Sequence, residues 1–362
     1  MNPLPPKKGP FVSTAAGFYF SSPRRTILAR GPWDGPEPGP GAVTVGALPF
    51  AAGAPDALTE ATDVTWDPPA PPGGPGRALP AGGAAAVPEP SPAEYELAVE
   101  KALVRLGDGD VDKVVLARTL RIDTPAPVEP AALLRRLAAH DPHAHVYAVP
   151  SGPGRTLVGA SPELLVSRFG RDVASHPLAG SAARSADPAE DRRRADALLA
   201  SAKDLREHAY VVRAVADGLR PYCADLDVPA EPSLVATATM WHLGTRITGR
   251  LADPGVTALT LARALHPTPA VCGTPAAAAR DLIGELEPFD RGLYGGAVGW
   301  CDAAGDGEWA VAIRCAETGG DGLRLFAGAG IVAGSHPTAE LAETTAKFGT
   351  MLRALGLDGE GR

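Results

Sequence analysis

Cysteine is scarce in this 362-residue chain. Cys223, Cys272, Cys301 and Cys315 lie far apart with no CxxC or CxH spacing, so neither a zinc site nor a disulfide framework is expected, and they read as reduced thiols in a cytosolic protein. No stretch approaches 18 uninterrupted apolar residues, so no membrane span is expected. The start, Met1 to Lys8, has no apolar segment behind its charges, which speaks against a secretory signal and for a cytoplasmic location. Positive charge is also short. A formal net charge of −8 argues against a non-specific nucleic-acid binder or a polybasic membrane-surface protein. Three catalytic signatures are missing: GxSxG, HExxH and GxxxxGK[ST], which leaves out a nucleophile elbow, a zincin helix and a P-loop.

Lysine is the most telling shortage. Of 34 basic residues only six are lysine, at Lys7, Lys8, Lys101, Lys113, Lys203 and Lys347. With Ala, Gly, Pro and Arg in excess, this is the composition of a GC-rich coding sequence. Where arginine is the default, a surviving lysine marks a candidate position for chemistry that a permanently charged guanidinium does not support. Hydrophobic residues at 45% and charged residues at 21% are ordinary for a globular chain. At roughly 150 residues per domain, the length allows about two domains or one large one.

Twenty of the 38 prolines fall before residue 93. Within that region Phe18–Phe20 and Thr26–Ala29 flank a Ser-Ser-Pro-Arg turn and predict a hairpin, and Ala42–Phe50 predicts a strand. Residues 66–90, dense in Pro and Gly, predict a surface linker. Ser91-Pro92-Ala93-Glu94 is a capping box with proline at the first helical position. Its helix runs to Gly107. Val111–Ile122 alternates as a strand that puts Lys113, Val115 and Ala117 on one face. Strands are expected at His145–Val149 and Thr156–Arg168, and one long helix over Pro188–Arg220. Leu234–Thr248 is strand-like and Thr257–Leu265 helical. Three more strands at Gly295–Trp300, Trp309–Cys315 and Leu323–Ala329 precede a last helix from Pro337 to Leu355. Strands mixed with long helices, without regular βαβ alternation, predict an α+β fold.

Several residues have chemistry that their setting makes notable. A strand lysine such as Lys113 either snorkels from an edge or, if it faces inward, becomes a base as desolvation disfavours its charge. Glu163 enters the apolar run Leu164–Val166, where a carboxyl is either a solvated strand start or a raised-pKa acid. Glu207 is either paired with Lys203 one helical turn away or half of a hard-cation site that needs a second carboxylate. Glu340, Glu343 and Lys347 share a helix face and supply the candidates. The alternative there is an exposed Glu343–Lys347 pair. The preceding Phe326–Ser335 stretch is rich in glycine and alanine and permits close approach of a ligand to the backbone. Arg314 is a carboxylate fork if it faces inward, and His242 is either a core histidine or a site residue.

Together these segments resemble the chorismate-utilising enzymes, most closely the isochorismate synthase branch. The resemblance rests on Val111–Arg118, Gly159–Leu165, Pro177–Ser181, Lys203-Asp204-x-x-Glu207-His208, Met240–Leu243 and His266–Pro275. It continues through Glu287–Arg291, Gly295–Trp300, Ile313–Cys315, Ala327–Val332 and Glu340-x-x-Glu343-Thr344-x-x-Lys347, in family order over about residues 91–355. Residues 1–90 match loosely.

The resemblance implies a chorismate-binding fold like that of anthranilate and aminodeoxychorismate synthases, with two facing antiparallel sheets and helices outside. Residues 1–90 would belong to the same single domain as the catalytic region 91–362. Lys113 would be the base that activates water for attack on C2 of chorismate, and Glu163 the acid that protonates the departing C4 hydroxyl. Glu207 and Glu343 would bind Mg²⁺, with Glu340 a partner in the metal shell. Arg314, Lys347 and the backbone at Gly328 and Gly330 would hold substrate carboxylates. Gly180, His242, Ala270, Val271 and Phe289 would line the pocket.

Ammonia-using relatives generally lack the lysine at position 113, so no glutaminase partner is expected. Salicylate synthases, which go on to eliminate pyruvate, tend to carry Thr where this chain has Ala270. The implied activity is therefore the reversible isomerisation of chorismate to isochorismate by a monomer, for siderophore synthesis through 2,3-dihydroxybenzoate. A salicylate synthase and a menaquinone-pathway enzyme are the alternatives. In Ser181–Arg184 the chain departs from the more basic run common among relatives.

Overall fold

The computed structural model describes residues 17–33, 39, 42–68, 86–320 and 322–357. In chain order it contains β1 (Gly17–Ser21), β2 (Thr26–Arg30), β3 (Thr44–Leu48), β4 (Ala57–Glu60), β5 (Asp63–Trp66), β6 (Ala86–Glu89) and α1 (Pro92–Gly107). Next come β7 (Lys113–Asp123), α2 (Pro130–His140), β8 (His145–Gly152), β9 (Arg155–Ser161), β10 (Leu164–Phe169), β11 (Asp172–His176) and β12 (Leu178–Ala183). The middle holds α3 (Pro188–Ala200), α4 (Ala202–Leu219), β13 (Cys223–Asp227), β14 (Ser233–Ala236), β15 (Met240–Gly244), β16 (Ile247–Leu251) and α5 (Ala258–Leu265). Last are β17 (Gly273–Thr274), α6 (Ala276–Leu286), β18 (Ala297–Cys301), β19 (Gly307–Val311), β20 (Cys315–Gly319), β21 (Gly322–Val332) and α7 (Pro337–Leu355).

Among the described residues the strands form two large antiparallel sheets and one small one. The first runs β17-β7-β21-β20-β9-β8-β1-β2-β5, with β6 added beside β7. The second runs β13-β16-β11-β10-β19-β18-β3-β4, and β12-β15-β14 forms the third. Phe18, Phe20, Ala117 and Tyr147 of the first sheet meet Val45, Val298, Trp300 and Ala310 of the second in one buried cluster, so the two large sheets face each other. Helices α2 and α7 cover the outer face of the first sheet, α4 and α5 that of the second, and α1 and α6 pack around β7. The expected α+β arrangement is present, with the small third sheet as an addition.

Local expectations held where the signals were strong. The Ser91 hydroxyl accepts from Glu94 N while Glu94 Oε2 accepts from Ser91 N at 2.9 Å, which completes the capping box. Elsewhere the structure corrects the reading. The single helix expected over 188–220 is broken at Ser201, whose side chain caps α4 by accepting from Asp204 N. The linker expected at 66–90 is partly strand: Ala86–Glu89 pairs with Thr119–Ile122 on the edge of β7, where Pro88 is tolerated. Residues 69–85 lie outside the described part. Thr156–Arg168 and Trp309–Cys315 were each read as one strand, yet each is interrupted between the large sheets. Helices α2 and α6 were not anticipated.

Candidate active site

Those two interruptions create the site. The chain leaves the first sheet after β9, passes Pro162 and Glu163, and enters the second sheet at β10. It returns between β19 and β20, through Ala312, Ile313 and Arg314. The two crossings are tied together: Ala160 N donates to Arg314 O and Val311 N to Glu163 O, both at 3.1 Å. Arg314 is therefore not the strand arginine expected. It sits in a left-handed conformation with φ of 53°, a backbone state that costs about 1–2 kcal/mol for a residue with a Cβ and that turns its guanidinium inward.

Around these crossings lies a closed cavity of about 50 Å³. Val115 on β7, and Gly328 and Gly330 on β21, contribute one wall. Gly180 and Ser181 on β12, with His242 on β15, bring the small sheet over it, while Glu207 comes from α4 and Lys347 from α7. Ala270, Val271, Tyr294 and Ile313 complete the apolar side with Pro162, Leu178 and Ala179. Ten expected residues thus converge here: Glu163, Gly180, Glu207, His242, Ala270, Val271, Arg314, Gly328, Gly330 and Lys347. A larger groove of about 1090 Å³ runs along β10, β11, β13 and β16 and contains none of them.

Lys113 is fully buried behind the wall. Its Nζ lies 3.1 Å from Glu207 Oε1 but is not aligned for a hydrogen bond, so the contact is a buried ion pair. Glu207 therefore pairs with Lys113 and not with Lys203, whose Nζ donates instead to Glu340 Oε1 at 2.7 Å. The space for this pair comes from Gly330, since a Cβ there would stand 2.0 Å from Glu207 Oε1 and 3.0 Å from Lys113 Cε. Gly330→Ala is expected to keep the fold, because β21 pairs with β7 along its whole length, but to push Glu207 off Lys113. A turnover assay should show a loss on the order of 100-fold, and a fully active variant would remove the significance given to that contact.

Glu163 is buried, and desolvation raises its carboxyl to about 7 against the opposing pull of the Leu178 N–H and of Lys113, Arg314 and Lys347. Leu178 N donates to its Oε1 at 3.4 Å. His242 is held neutral by burial and by the nearby cations Arg314 and Lys347, and its Nε2 lies 3.4 Å from Arg314 Nη2. Burial also lowers the Arg314 guanidinium from its ordinary value.

Two more carboxylates, Glu343 and Glu340, sit at the other end. Glu343 Oε1 accepts from Ser181 Oγ at 2.9 Å and from Lys347 Nζ at 2.5 Å, and the same Nζ donates to Gly328 O at 2.8 Å. The Glu343–Lys347 pair is not the exposed surface contact of the alternative reading, since both side chains are no more than 15% exposed. Burial would raise Glu343, but Lys347 and Lys203 outweigh it and hold the group low. Glu340 is raised, first by burial and then by Glu343. The Ser335 side chain pulls Glu340 slightly down, yet its buried Oε2 has no hydrogen bond of good geometry. Among the described residues no three His, Cys, Asp or Glu side chains form a ready-made metal cage. The donor set is nevertheless right in kind: buried carboxylate oxygens, one without a hydrogen bond, suit a hard divalent cation.

One expected site residue is misplaced. Phe289 does not line the cavity; it packs toward Phe326, 6.4 Å between ring centroids, at the edge of the core between the sheets. Conversely, Tyr294 and Ser181 were not foreseen as site residues. Tyr294 stacks on Phe326 at 5.0 Å, and its hydroxyl lies close to where a Cβ on Gly328 would be. The adjoining Gly295 and Gly296 were the only sequence hint. The unusual Ser181–Arg184 stretch has a structural use: Arg184 grips Asp191 bidentately and stacks on Trp241, fastening the small sheet to α3.

Facing antiparallel sheets with a cavity at their crossings, lined by a buried carboxyl and by paired charges, define a class, and a family model described as chorismate binding enzyme matches residues 80–356. The chain belongs to that family. It is 58% identical over 277 residues to the isochorismate synthase DhbC of Bacillus subtilis, covering 75% of this chain and 70% of that one. It is 48% identical to the isochorismate synthase EntC of Escherichia coli, over 74% and 68% of the two chains. The solved structure of DhbC from Bacillus anthracis, provisionally described as 2,3-dihydroxybenzoate-specific, superposes with a TM-score of 0.86 at 44% identity, over 94% of this chain and 97% of that one.

Proposed function

We propose that this chain is an isochorismate synthase, which moves the ring hydroxyl of chorismate from C4 to C2. The observation that carries the reading is that one site holds both a fully buried lysine, Lys113, and a buried carboxyl, Glu163, that is protonated up to about pH 7. Lys113 takes a proton from water as its oxygen bonds to C2. The ring double bond shifts, the C4–O bond breaks, and Glu163 gives its proton to the departing hydroxyl. One water is consumed and one released, so the reaction is reversible. Arg314 and Lys347 bring fixed positive charge to a dianionic substrate, which an acidic protein must supply locally. Ala270, in place of a hydroxyl-bearing residue, favours stopping at isochorismate.

Glu207 and Glu343, with Glu340 beside them, would hold Mg²⁺, which when bound supplies charge for a substrate carboxylate. The lysines now paired with those carboxylates would then be freed toward substrate. Glu343→Ala is expected to raise the Mg²⁺ concentration needed for half-maximal rate by at least about tenfold. An unaltered metal titration would reduce Glu343 to its ion pair with Lys347.

The 50 Å³ cavity is far below the roughly 300–1,000 Å³ of ligand pockets, so its walls would have to part for chorismate to enter. The strands of residues 17–66 hydrogen-bond into both large sheets, which supports reading the chain as one domain. Feeding 2,3-dihydroxybenzoate synthesis fits the DhbC relatives best, and the protein would act as a monomer in the cytoplasm. Incubation with chorismate and Mg²⁺, followed by chromatographic separation of products, tests the activity. Salicylate and pyruvate as main products would replace it with a salicylate synthase, and labelled product from ¹⁵N-ammonium with an amine-forming one.

A further inference from the structure

Strand β7 carries Lys113 and the wall residue Val115, yet one of its edges is incomplete. Along its whole length it pairs with β21. On the other side β17 covers only Lys113 and Val114, and β6 covers Thr119–Ile122. Between them Val115 N is met by Cys272 O at 2.7 Å, but among the described residues no strand reaches Val115 O or Ala117 N.

Two side chains fill the gap. Arg291 Nη2 donates to Val115 O at 2.8 Å, and Glu287 Oε1 accepts from Ala117 N at 2.7 Å. The side chains of Arg291 and Glu287 are 2% and 3% exposed and pair with each other, with Arg291 Nε 2.8 Å from Glu287 Oε2. Arg291 Nη1 also donates to Val271 O at 2.7 Å, and the guanidinium stacks 4.2 Å over the ring of Phe50. The pair thus offers one donor and one acceptor in the alternation a neighbouring strand would present, and it binds the backbone of two cavity-lining residues, Val115 and Val271.

We infer that Glu287 and Arg291 are positioning residues that act as a surrogate strand, holding the base-bearing segment of β7 in register against the 266–275 loop. Neither touches the cavity. The groups that meet the substrate carboxylates come from elsewhere, Arg314 from the β19–β20 crossing and Lys347 from α7. Loosening this edge should therefore cost turnover much more than binding. Lysine cannot replace the arginine, since its single ammonium cannot span two carbonyls and a carboxylate in a plane. The inference rests on the isochorismate synthase reading for its turnover assay only.

The test compares Arg291→Lys and the milder Glu287→Gln, which keeps an oxygen for Ala117 N. Chorismate binding by calorimetry with Mg²⁺ counts competent sites, and kcat is expressed per competent site. For Arg291→Lys a loss of about 100-fold in kcat is expected with KM within about threefold, the scale of a 1 Å misplacement; for Glu287→Gln a smaller loss of the same kind. Hydrogen exchange of the unaltered protein should show the peptide over 115–118 as protected as the paired part of β7, and faster exchange there in both variants. An unchanged kcat per competent site, a parallel loss of affinity, or rapid exchange at 115–118 in the unaltered protein would each overturn the inference. The exchange result is independent of the reaction, so a protein inactive on chorismate would sink the functional reading without touching this one.

Discussion

Lys113→Ala is expected to lower kcat by about 10²–10⁴-fold, the range that a positioned acid or base contributes, while chorismate binding survives. Residues that would meet the substrate carboxylates, Arg314 and Lys347, are on other elements. The strand itself is held by pairing with β21 along residues 113–123, so the fold should persist. Stability will still fall, because Glu207 loses the cation 3.1 Å from its oxygen, and breaking a buried pair from one side costs about 3–5 kcal/mol. A Lys113→Ala/Glu207→Ala double variant should recover much of the melting temperature, which assigns the single variant's loss of stability to the carboxylate left without its cation. Turnover within tenfold of the parent in a folded Lys113→Ala protein would end its assignment as the base.

Glu163→Gln should match that loss of rate for the opposite reason, since an amide cannot donate the proton the departing hydroxyl needs. In the unaltered enzyme the acid form is required, and burial sets its titration at about 7. The rate should accordingly decline as pH rises through about 7, with the slope of a single proton. Stability carries the same signature. The folded-state value lies above the ordinary 4.5, so the native state holds this proton more tightly than the unfolded chain. The contribution is full below about pH 4.5 and is lost as pH rises through about 7. Glutamine stays neutral, so the variant should melt higher than its parent toward pH 8 and lose that advantage toward pH 5. Melting curves whose difference does not change with pH would contradict the buried-acid reading.

Legibility followed the range of the interaction. The capping box, the β1–β2 hairpin and the final helix were readable because their signals lie within a few residues. The break at Ser201 was missed because the apolar stripe continues across it. The strands around Glu163 and Arg314 were read as continuous because apolar residues flank both, and an apolar run does not reveal a change of sheet. Phe289 was assigned to the pocket from its place in a motif, whereas its ring serves the core between the sheets. Of the two readings left open for Glu207, pairing with Lys203 fails for a similar reason: Lys203 is four residues from Glu207, but its partner is Glu340, 137 residues away.

The sequence by itself determined which groups are available: a rare lysine on an apolar strand, carboxylates at helical spacing, and small residues where a ligand or side chain must come close. Lysine scarcity singled out Lys113, and an arginine there would remain charged. Only the tertiary structure decided what each group does. The crossing of the chain between two sheets removes Glu163 from water and turns Arg314 inward, Gly330 makes room for Lys113 beside Glu207, and Glu287 with Arg291 completes an edge that no strand among the described residues covers. Desolvation and pairing are properties of position, and position here depends on contacts between residues far apart in the chain.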